Sequence, residues 1–392
     1  MMVEESTEMG SWNWWRPFVA VVLTVVSAGS IVSITWEKPV TSELRIVGAD
    51  MSFTLQEEAV GNQVNDNGEA LPIEQIMSNN GVNYSRIRLW VDPEPGTSDL
   101  AAALTLAQRA TDAGMGILLN LHYSDTWADQ NAQKLPAAWE DLGKEELEST
   151  VHAYSRDVVS AFAEQGTPVG IVQVGNEVSD GMLWSWGKTQ LSWGEYWEGF
   201  ADLYQAGVAG VLAGSGGQPP KIMIHTHAAD ESASDFLAKV EANGMPFDII
   251  GVTYYPFWSG SLAGFSRSLN ILATRFNKDL IVAETGYPWR LDSEPGCDSV
   301  VNNVAELPDR RRFTATPEGQ AAYFTELRKV IEQVPDNHGL GYFVWEPGWL
   351  PGVPAAPGVC NRYANLTMFD WEGNALPAID SLNPPASPRP TP

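Results

Sequence analysis

Short apolar runs alternate with longer amphipathic segments along the chain from about residue 44 onward. The runs have the length of buried β-strands, and the segments between them repeat apolar residues at helical spacing. Helical spacing is found in residues 100–112, 145–164, 193–213 and 316–333, the last opening with Thr316-Pro317-Glu318 as capping residue and first-turn proline. The strand-like runs are residues 44–48, 84–91, 116–121, 170–174, 221–225, 247–253, 280–283 and 341–345. Eight β-then-α units predict a (β/α)₈ TIM barrel.

The barrel pattern predicts a single catalytic domain over residues 41–382. The whole chain has 392 residues, a length that α/β barrels reach through insertions in their loops. The tail, residues 383–392, is rich in proline, and we expect it not to pack against the barrel.

The first part of the chain has a different character. Residues 1–16 are acidic, and residues 17–36 form an apolar stretch without a charge. Small residues at 27–30 fit a cleaved signal peptide, whereas the length of the stretch and the acidic residues before it fit a retained signal anchor. A buried core helix is the third alternative. Either of the first two places the barrel outside the cytosol, as a secreted or a membrane-anchored protein.

Charge and composition narrow the possible partners. The chain has 23 basic and 49 acidic residues and a net charge of −26, which argues against nucleic acid and anionic membrane surfaces as ligands. Tryptophan occurs 16 times and serves proteins either in the core or as a platform for the apolar face of a sugar ring. We expect a neutral ligand and a monomer.

Two cysteines, Cys297 and Cys360, are present. In an oxidising compartment an even count at such low density predicts one disulfide rather than a metal site. Two unpaired buried thiols are the alternative.

The candidate chemistry lies at the ends of the strands. Glu177 and Glu284 each follow a short apolar run, and in a barrel such residues reach the C-terminal rim. Two carboxylates facing each other across a groove are what glycosidic bond cleavage requires. The rim segments 122–129, 254–258 and 345–349 are rich in polar and aromatic residues. The pattern therefore predicts a sugar-cleaving enzyme.

Several segments, in order along the chain, resemble the arabinogalactan endo-β-1,4-galactanases of glycoside hydrolase family 53. They are residues 48–52, 88–93, 122–129, 172–177, 254–258 with 260–262, 283–285, 342–347, and 368–370 with 373–377. The resemblance implies a retaining (β/α)₈ enzyme that cleaves β-1,4-galactan or arabinogalactan at internal bonds. Residues 179–181 and 285–288 depart slightly from the family pattern, so the subsites next to the cleaved bond are expected to differ.

The resemblance also implies roles for individual residues. Glu177 would be the general acid/base and Glu284 the nucleophile, with Arg88 holding Glu284 ionised. Asn176 would bind the sugar 2-hydroxyl, and Trp345 would form the platform beneath the sugar. His122 and either Tyr254 or Tyr255 would line the floor, one tyrosine donating to the nucleophile. Further substrate contacts would be Asp50, Asp125, Trp127, His225 and Trp349.

Several of these residues have structural alternatives. Arg88, His122, His225 and Trp345 are also compatible with core roles, and Asp125 with fixing the turn after the third strand. In the long seventh loop, Asp292, Glu294 and Asp298 are candidates for calcium ligands, as some relatives hold this loop with calcium. A solvated acidic loop is the other interpretation, and no metal or cofactor is predicted to be required.

Two rival functions remain at this stage. One is a related barrel glycosidase acting on another β-linked polysaccharide. The other is a catalytically silent, surface-anchored carbohydrate-binding protein, which the apolar N-terminal stretch would suit. Glu177 and Glu284 together argue against the second, because a binding protein needs neither an acid nor a nucleophile.

Overall fold

The computed structural model describes residues 44–384. The acidic region 1–16, the apolar stretch 17–36 and most of the tail 383–392 lie outside the described residues. Within residues 44–384, the helices are all too short or too polar to cross a bilayer.

Eight parallel strands close into a barrel, as the sequence predicts. Neighbours in sequence are neighbours in the barrel, and the first strand pairs with both the second and the last. The strands are β1 (Ile46–Asp50), β2 (Tyr84–Leu89), β3 (Gly116–Leu121), β4 (Ile171–Val174), β5 (Lys221–Thr226), β6 (Ile249–Tyr254), β7 (Asp279–Thr285) and β8 (Gly339–Val344).

Helices surround the strands on the outside. The seven longest in the described residues are α1 (Ile73–Asn79), α2 (Leu100–Asp112), α3 (Lys144–Gln165), α4 (Glu198–Gly214), α5 (Glu231–Ala242), α6 (Leu262–Phe276) and α7 (Pro317–Glu332). Two shorter helices, Thr54–Ala59 and Pro256–Ser259, follow β1 and β6. Thr316 caps α7 as predicted, because its side chain accepts a hydrogen bond from the backbone of Gly319. The eighth unit ends in a short 3₁₀ turn, Asp380–Leu382.

Most predicted strand and helix ends lie within two residues of the observed ones, and two of the differences matter for the site. α4 begins at Glu198 rather than at residue 193, because Gln190–Leu191 and Gly194–Glu195 form a small hairpin before it. β7 extends beyond residue 283 to Thr285. Its pairing with β6 shifts after Val252, so that Thr253 lies opposite Glu284. An extra residue of this kind is a β-bulge, a feature that re-aims side chains near active sites.

The barrel interior changes character from bottom to top. Its lower end is filled by apolar side chains from most of the strands, including Ile46, Leu118, Ile171, Met223, Ile249, Ile281 and Phe343. Gly48 makes room for this layer, since an added Cβ would lie 2.2 Å from the ring of Phe343. The upper end holds buried polar side chains, among them Arg86, Asn120, Gln173 and His225. The dry lower layer supports a polar network directly under the C-terminal rim.

The predicted disulfide between Cys297 and Cys360 is present, with the Cα atoms 5.8 Å apart. It joins the loop after β7 to the loop after β8. In the seventh loop Asp292 pairs with Arg290 at 2.6 Å. Among residues 44–384, no cluster of three or more His, Cys, Asp or Glu side chains could hold a metal ion, so Asp292, Glu294 and Asp298 do not form such a group.

Candidate active site

A groove of about 1090 Å³ crosses the C-terminal end of the barrel. Both predicted glutamates line it, together with residues from the loops after β3, β5, β6 and β8. Strand ends place chemistry at this face of a TIM barrel. The groove is therefore the candidate active site.

Glu284 lies on the bulged end of β7 and is buried, with 7% of its surface exposed. Its Oε1 accepts from Arg86 Nη2 at 2.8 Å, and Arg86 Nη1 lies 2.9 Å from Oδ2 of Asp50. Burial raises the pKa of Glu284, and the charge of Arg86 opposes that rise. The guanidinium group thus favours the ionised form that a nucleophile needs.

Arg86, rather than the predicted Arg88, makes the direct contact with Glu284. Arg88 Nη1 instead lies 3.1 Å from Oε1 of Glu346, with Asp50 Oδ1 at 3.8 Å. Its guanidinium lies over the ring of Trp127, 4.3 Å from the centroid. The two arginines share one face of β2, and the structure shows that the deeper one reaches Glu284. Arg88 adds only a weaker effect on the pKa of that carboxyl.

Glu177 follows β4 and adopts a left-handed backbone conformation, with φ of 47°. Its Oε1 accepts a hydrogen bond of 2.5 Å from the hydroxyl of Thr253. Burial, with a further contribution from the charge of Glu284, raises the pKa of Glu177 to about 8. At neutral pH this carboxyl is mostly protonated, whereas the carboxyl of Glu284 is paired with an arginine.

Asn176 lines the groove beside Glu177, and its side-chain amide is held from several sides. The Oδ1 atom accepts from Arg86 Nη2 at 2.9 Å and from Asn120 Nδ2 at 3.1 Å. The Nδ2 atom donates to the carbonyl of Ala128 at 2.8 Å. These contacts fix the orientation of the amide and leave one of its N–H groups for a ligand.

The two predicted histidines lie beneath the groove, where they hold other residues in place. His122 Nδ1 accepts from the backbone of Ala128 at 3.2 Å, and its Nε2 lies 3.0 Å from Asn120 Nδ2. His225 contacts Asn176, Gln173 and Thr253. Burial lowers the pKa of both imidazoles well below its usual range, with Arg88 and Arg86 adding to the effect at His122 and Arg86 at His225. Both histidines are therefore neutral.

Asp50 and Asp125, which the sequence predicts as substrate contacts, do not lie among the groove-lining residues. Asp50 is fully buried and pairs with Arg86. Asp125 accepts from the backbone of Asp92 at 3.0 Å and of Ala137 at 2.8 Å. It fixes the loop after β3, which is the structural alternative that the sequence left open.

Aromatic side chains form much of the groove wall. Trp127, Trp345 and Trp349 all line it, as do Tyr363 and Trp258, which the sequence did not single out as ligand contacts. Trp349 stacks on Phe53 with ring centroids 4.1 Å apart. Of the two alternative tyrosines, Tyr255 lines the groove. Tyr254 stacks on Phe265 at 3.8 Å outside the barrel and donates to the carbonyl of Gly260.

A (β/α)₈ barrel with one glutamate after β4 and another at the end of β7, both lining one groove, has the architecture of a glycoside hydrolase. The chain belongs to glycosyl hydrolase family 53, whose family model matches residues 46–382.

Known proteins of the family resemble the chain over most of its length. The arabinogalactan endo-β-1,4-galactanase A of Aspergillus niger is 38% identical over 312 residues, which cover 77% of this chain and 85% of that protein. The GH53 catalytic domain of Ignisphaera aggregans has a TM-score of 0.82 and 29% identity, covering 88% of this chain and 97% of its own. A fungal β-1,4-galactanase structure has a TM-score of 0.75 and 32% identity, with 86% and 99% covered.

Proposed function

We propose that this protein is an endo-acting β-1,4-galactanase that hydrolyses galactan or arabinogalactan with retention of anomeric configuration. The observation that carries the proposal is the unequal environment of the two glutamates in one groove. Glu284 is paired with Arg86 at 2.8 Å, whereas Glu177 has a pKa raised to about 8. The specificity for galactan is supported by the galactanase names of the relatives.

In the first half-reaction, the Glu284 carboxylate attacks the anomeric carbon while protonated Glu177 gives its proton to the departing glycosidic oxygen. A covalent glycosyl-enzyme ester forms as the glycosidic bond breaks. The raised pKa of Glu177 keeps its carboxyl protonated at neutral pH, as a general acid requires. Asn176 supplies a fixed amide N–H for the sugar 2-hydroxyl, a bond that strengthens in the transition state.

In the second half-reaction, Glu177 takes a proton from water and the resulting hydroxide attacks the anomeric carbon, which releases Glu284. Formation of the ester removes the negative charge of Glu284, which is one cause of the raised pKa of Glu177. The pKa of Glu177 therefore falls when a base is required. Arg86 keeps a carboxylate partner in Asp50 during this interval.

The shape of the groove suits a polymer. It extends from the loop after β3, at Trp127 and Asn131, to Ser268 and Ile271 on α6. A groove lined by residues from several loops of the rim can hold a chain at internal positions, which favours endo action. Trp345 is the proposed sugar platform above the barrel centre, since it lines the groove together with both glutamates.

The disulfide supports action outside the cytosol. Cys297 and Cys360 are bonded, and structural disulfides persist in oxidising compartments. We propose that the barrel is exported, with the apolar stretch 17–36 serving either as a cleaved signal peptide or as a membrane anchor.

The experiment that tests the function uses the full chain with a panel of β-linked polysaccharides, including galactan, xylan, mannan and glucan. We expect rapid fragmentation of galactan into short oligomers, with the β-anomer as the first product by proton NMR. Initial formation of the α-anomer would contradict the retaining mechanism. Activity confined to a different polymer would contradict the substrate.

A further inference from the structure

The hydroxyl of Thr253 lies between the carboxyl of Glu177 and the imidazole of His225. Its Oγ1 is 2.5 Å from Glu177 Oε1 and 3.0 Å from His225 Nε2. Thr253 is 5% exposed and His225 is fully buried. A threonine hydroxyl has one proton to donate, so the direction of each bond decides what the carboxyl can do.

The direction follows from the other side of the imidazole. His225 Nδ1 lies 2.9 Å from Gln173 Nε2 and 3.4 Å from the backbone nitrogen of Glu177. The Gln173 amide is oriented with its nitrogen towards the histidine, because its oxygen accepts two N–H groups of Arg86 at 3.2 and 3.1 Å. The backbone N–H of Glu177 can only donate, so Nδ1 is its acceptor. Gln173 Nε2 has two protons for three neighbouring acceptors, Nδ1, Asn176 Oδ1 and the carbonyl of Gly175, and an N–H directed at Nδ1 agrees with this assignment.

One oxygen also lies near this nitrogen, since Asn176 Oδ1 is 3.2 Å from Nδ1. That oxygen already accepts from Arg86, Asn120 and Gln173 at 2.9 to 3.1 Å. Asn176 Oδ1 therefore does not require a proton from His225 Nδ1. His225 is neutral because burial lowers its pKa well below the usual range, so its single ring proton is on Nε2.

The position of this proton sets the direction of the two hydrogen bonds of Thr253. The Nε2–H group donates to Thr253 Oγ1, and the only hydroxyl proton of Thr253 is left for Glu177 Oε1. We propose that Thr253 is a positioning residue that keeps Oε1 of Glu177 as an acceptor, so that Oε2 carries the proton delivered to the leaving group and later removed from water. This inference rests on the proposed function of Glu177 as acid/base.

The bulge in β7 fixes the geometry of this arrangement. Because of the bulge, Thr253 on β6 pairs with Glu284 rather than with Ala283. Thr253 therefore sits at the barrel rim beside the nucleophile and in contact with the acid/base. Branching at Cβ also restricts the side-chain rotamer of threonine, which holds the hydroxyl in place while the carboxyl changes its charge.

Removal of this hydroxyl has a predictable electrostatic effect. The bonds from Thr253 and from the backbone of Gln130 lower the pKa of Glu177 against the rise caused by burial. The ionisable groups around the carboxyl are Glu284 on β7, Asp129 after β3, Tyr255 after β6, Tyr363 after β8 and neutral His225 on β5. None of these would replace the lost donor, so the pKa of Glu177 should rise in its absence.

The test is the pH profile of kcat/KM on galactan, whose alkaline limb reports the acid in the free enzyme. In Thr253→Val we expect this limb to move up by about one pH unit, as loss of a hydrogen bond to a charged group predicts. Thr253→Ser should restore the original limb. Thr226→Val is the matched control, because this buried hydroxyl donates to the carbonyl of Ala228 and does not contact Glu177.

A downward shift in Thr253→Val would overturn the proposal, because it would mean that Oε1 carries the proton and donates to Thr253. An unchanged limb would overturn it as well. Thr253→Ala, expected to shift in the same direction, serves if the valine variant does not fold. The proposed function fails separately, if Glu177→Gln keeps full activity on galactan. If Glu177→Gln is inactive and the Thr253 variants show no shift, only the positioning role is lost.

Discussion

Arg86 Nη2 lies 2.8 Å from Oε1 of Glu284, and the opposite arm of the same guanidinium lies 2.9 Å from Oδ2 of Asp50. Arg86 is fully buried, so its charge has no water to solvate it. Two carboxylates and the amide oxygens of Gln173 and Asn176 take the place of that water. The ionised form of Glu284 therefore depends on the two-armed contact that the guanidinium of Arg86 makes with Glu284 and Asp50.

Replacement of Arg86 by lysine should show how much of the effect of Arg86 on Glu284 comes from its charge and how much from its two-armed contact. Arg86→Lys keeps a positive charge but loses the two-armed contact, and we expect kcat to fall about 100-fold, as for other charge-stabilising contacts. The acidic limb of the pH profile should move to higher pH, because the pKa of Glu284 is held down by Arg86. Arg88→Lys is the matched control and should leave that limb nearly in place. Equal shifts in the two variants would contradict the assignment of Arg86.

Substitution of the two glutamates should affect activity differently, depending on whether the leaving group of the substrate needs a proton. Glu177→Gln should lower kcat on galactan by about 10² to 10⁴, the range for loss of general acid catalysis. It should still form the glycosyl-enzyme from an aryl β-galactoside whose leaving group needs no proton. Glu284→Gln should be inactive on both substrates, since no ester can form. A burst of phenolate in single-turnover experiments distinguishes the two.

The control for these variants is Glu57→Gln. Glu57 is also buried, and its pKa is also raised to about 8, mainly by desolvation. It lies outside the groove that holds Glu177 and Glu284. Its loss should leave turnover within about twofold of the parent enzyme, and a large loss of kcat would show that buried glutamates matter here for folding rather than for chemistry.

The sequence located the barrel and both groove glutamates because those features have periodic or local signals. Each predicted strand overlaps an observed one, and β3 is predicted with the observed ends, Gly116 and Leu121. Strand ends converge on one rim in any closed parallel barrel. The positions of Glu177 and Glu284 could therefore be inferred without knowing which loops surround them.

The contacts between side chains were harder to predict. Arg86 and Arg88 share one face of β2, and only the tilt and pairing of strands in the closed barrel decide which one reaches Glu284. The bulge that sets Thr253 opposite Glu284 has no sequence signal comparable to a glycine or proline. Successive side chains at the end of β6 point to opposite faces of the sheet. Which of Tyr254 and Tyr255 faces the groove could therefore be predicted once the direction of one side chain on that strand is known.

Glu57 should make stability depend on pH. Its pKa is about 8 in the folded protein against 4.5 for the unperturbed group, so the folded state binds the proton more tightly. The stabilisation is fully present below about pH 4.5 and is lost as pH rises towards 8, with a slope of at most about 1.4 kcal/mol per pH unit. In urea titrations between these limits, Glu57→Gln should unfold with a shallower pH dependence than the parent. Glu69→Gln, at an exposed site, should match the parent, and an unchanged slope in Glu57→Gln would contradict the prediction.

The disulfide should contribute both to stability and to the shape of the groove. Cys297 and Cys360 are separated by 63 positions, and the chain-entropy estimate for a loop of that size is about 4 kcal/mol. The double variant Cys297→Ser/Cys360→Ser should lose a comparable free energy of unfolding in guanidinium titrations. Because the loop after β8 carries Tyr363 and Val359 into the groove, KM for galactan should rise while kcat changes little. Both glutamates lie on or directly after barrel strands, away from the joined loops, so a fall in kcat with unchanged KM would show that the bridge supports the reacting centre itself.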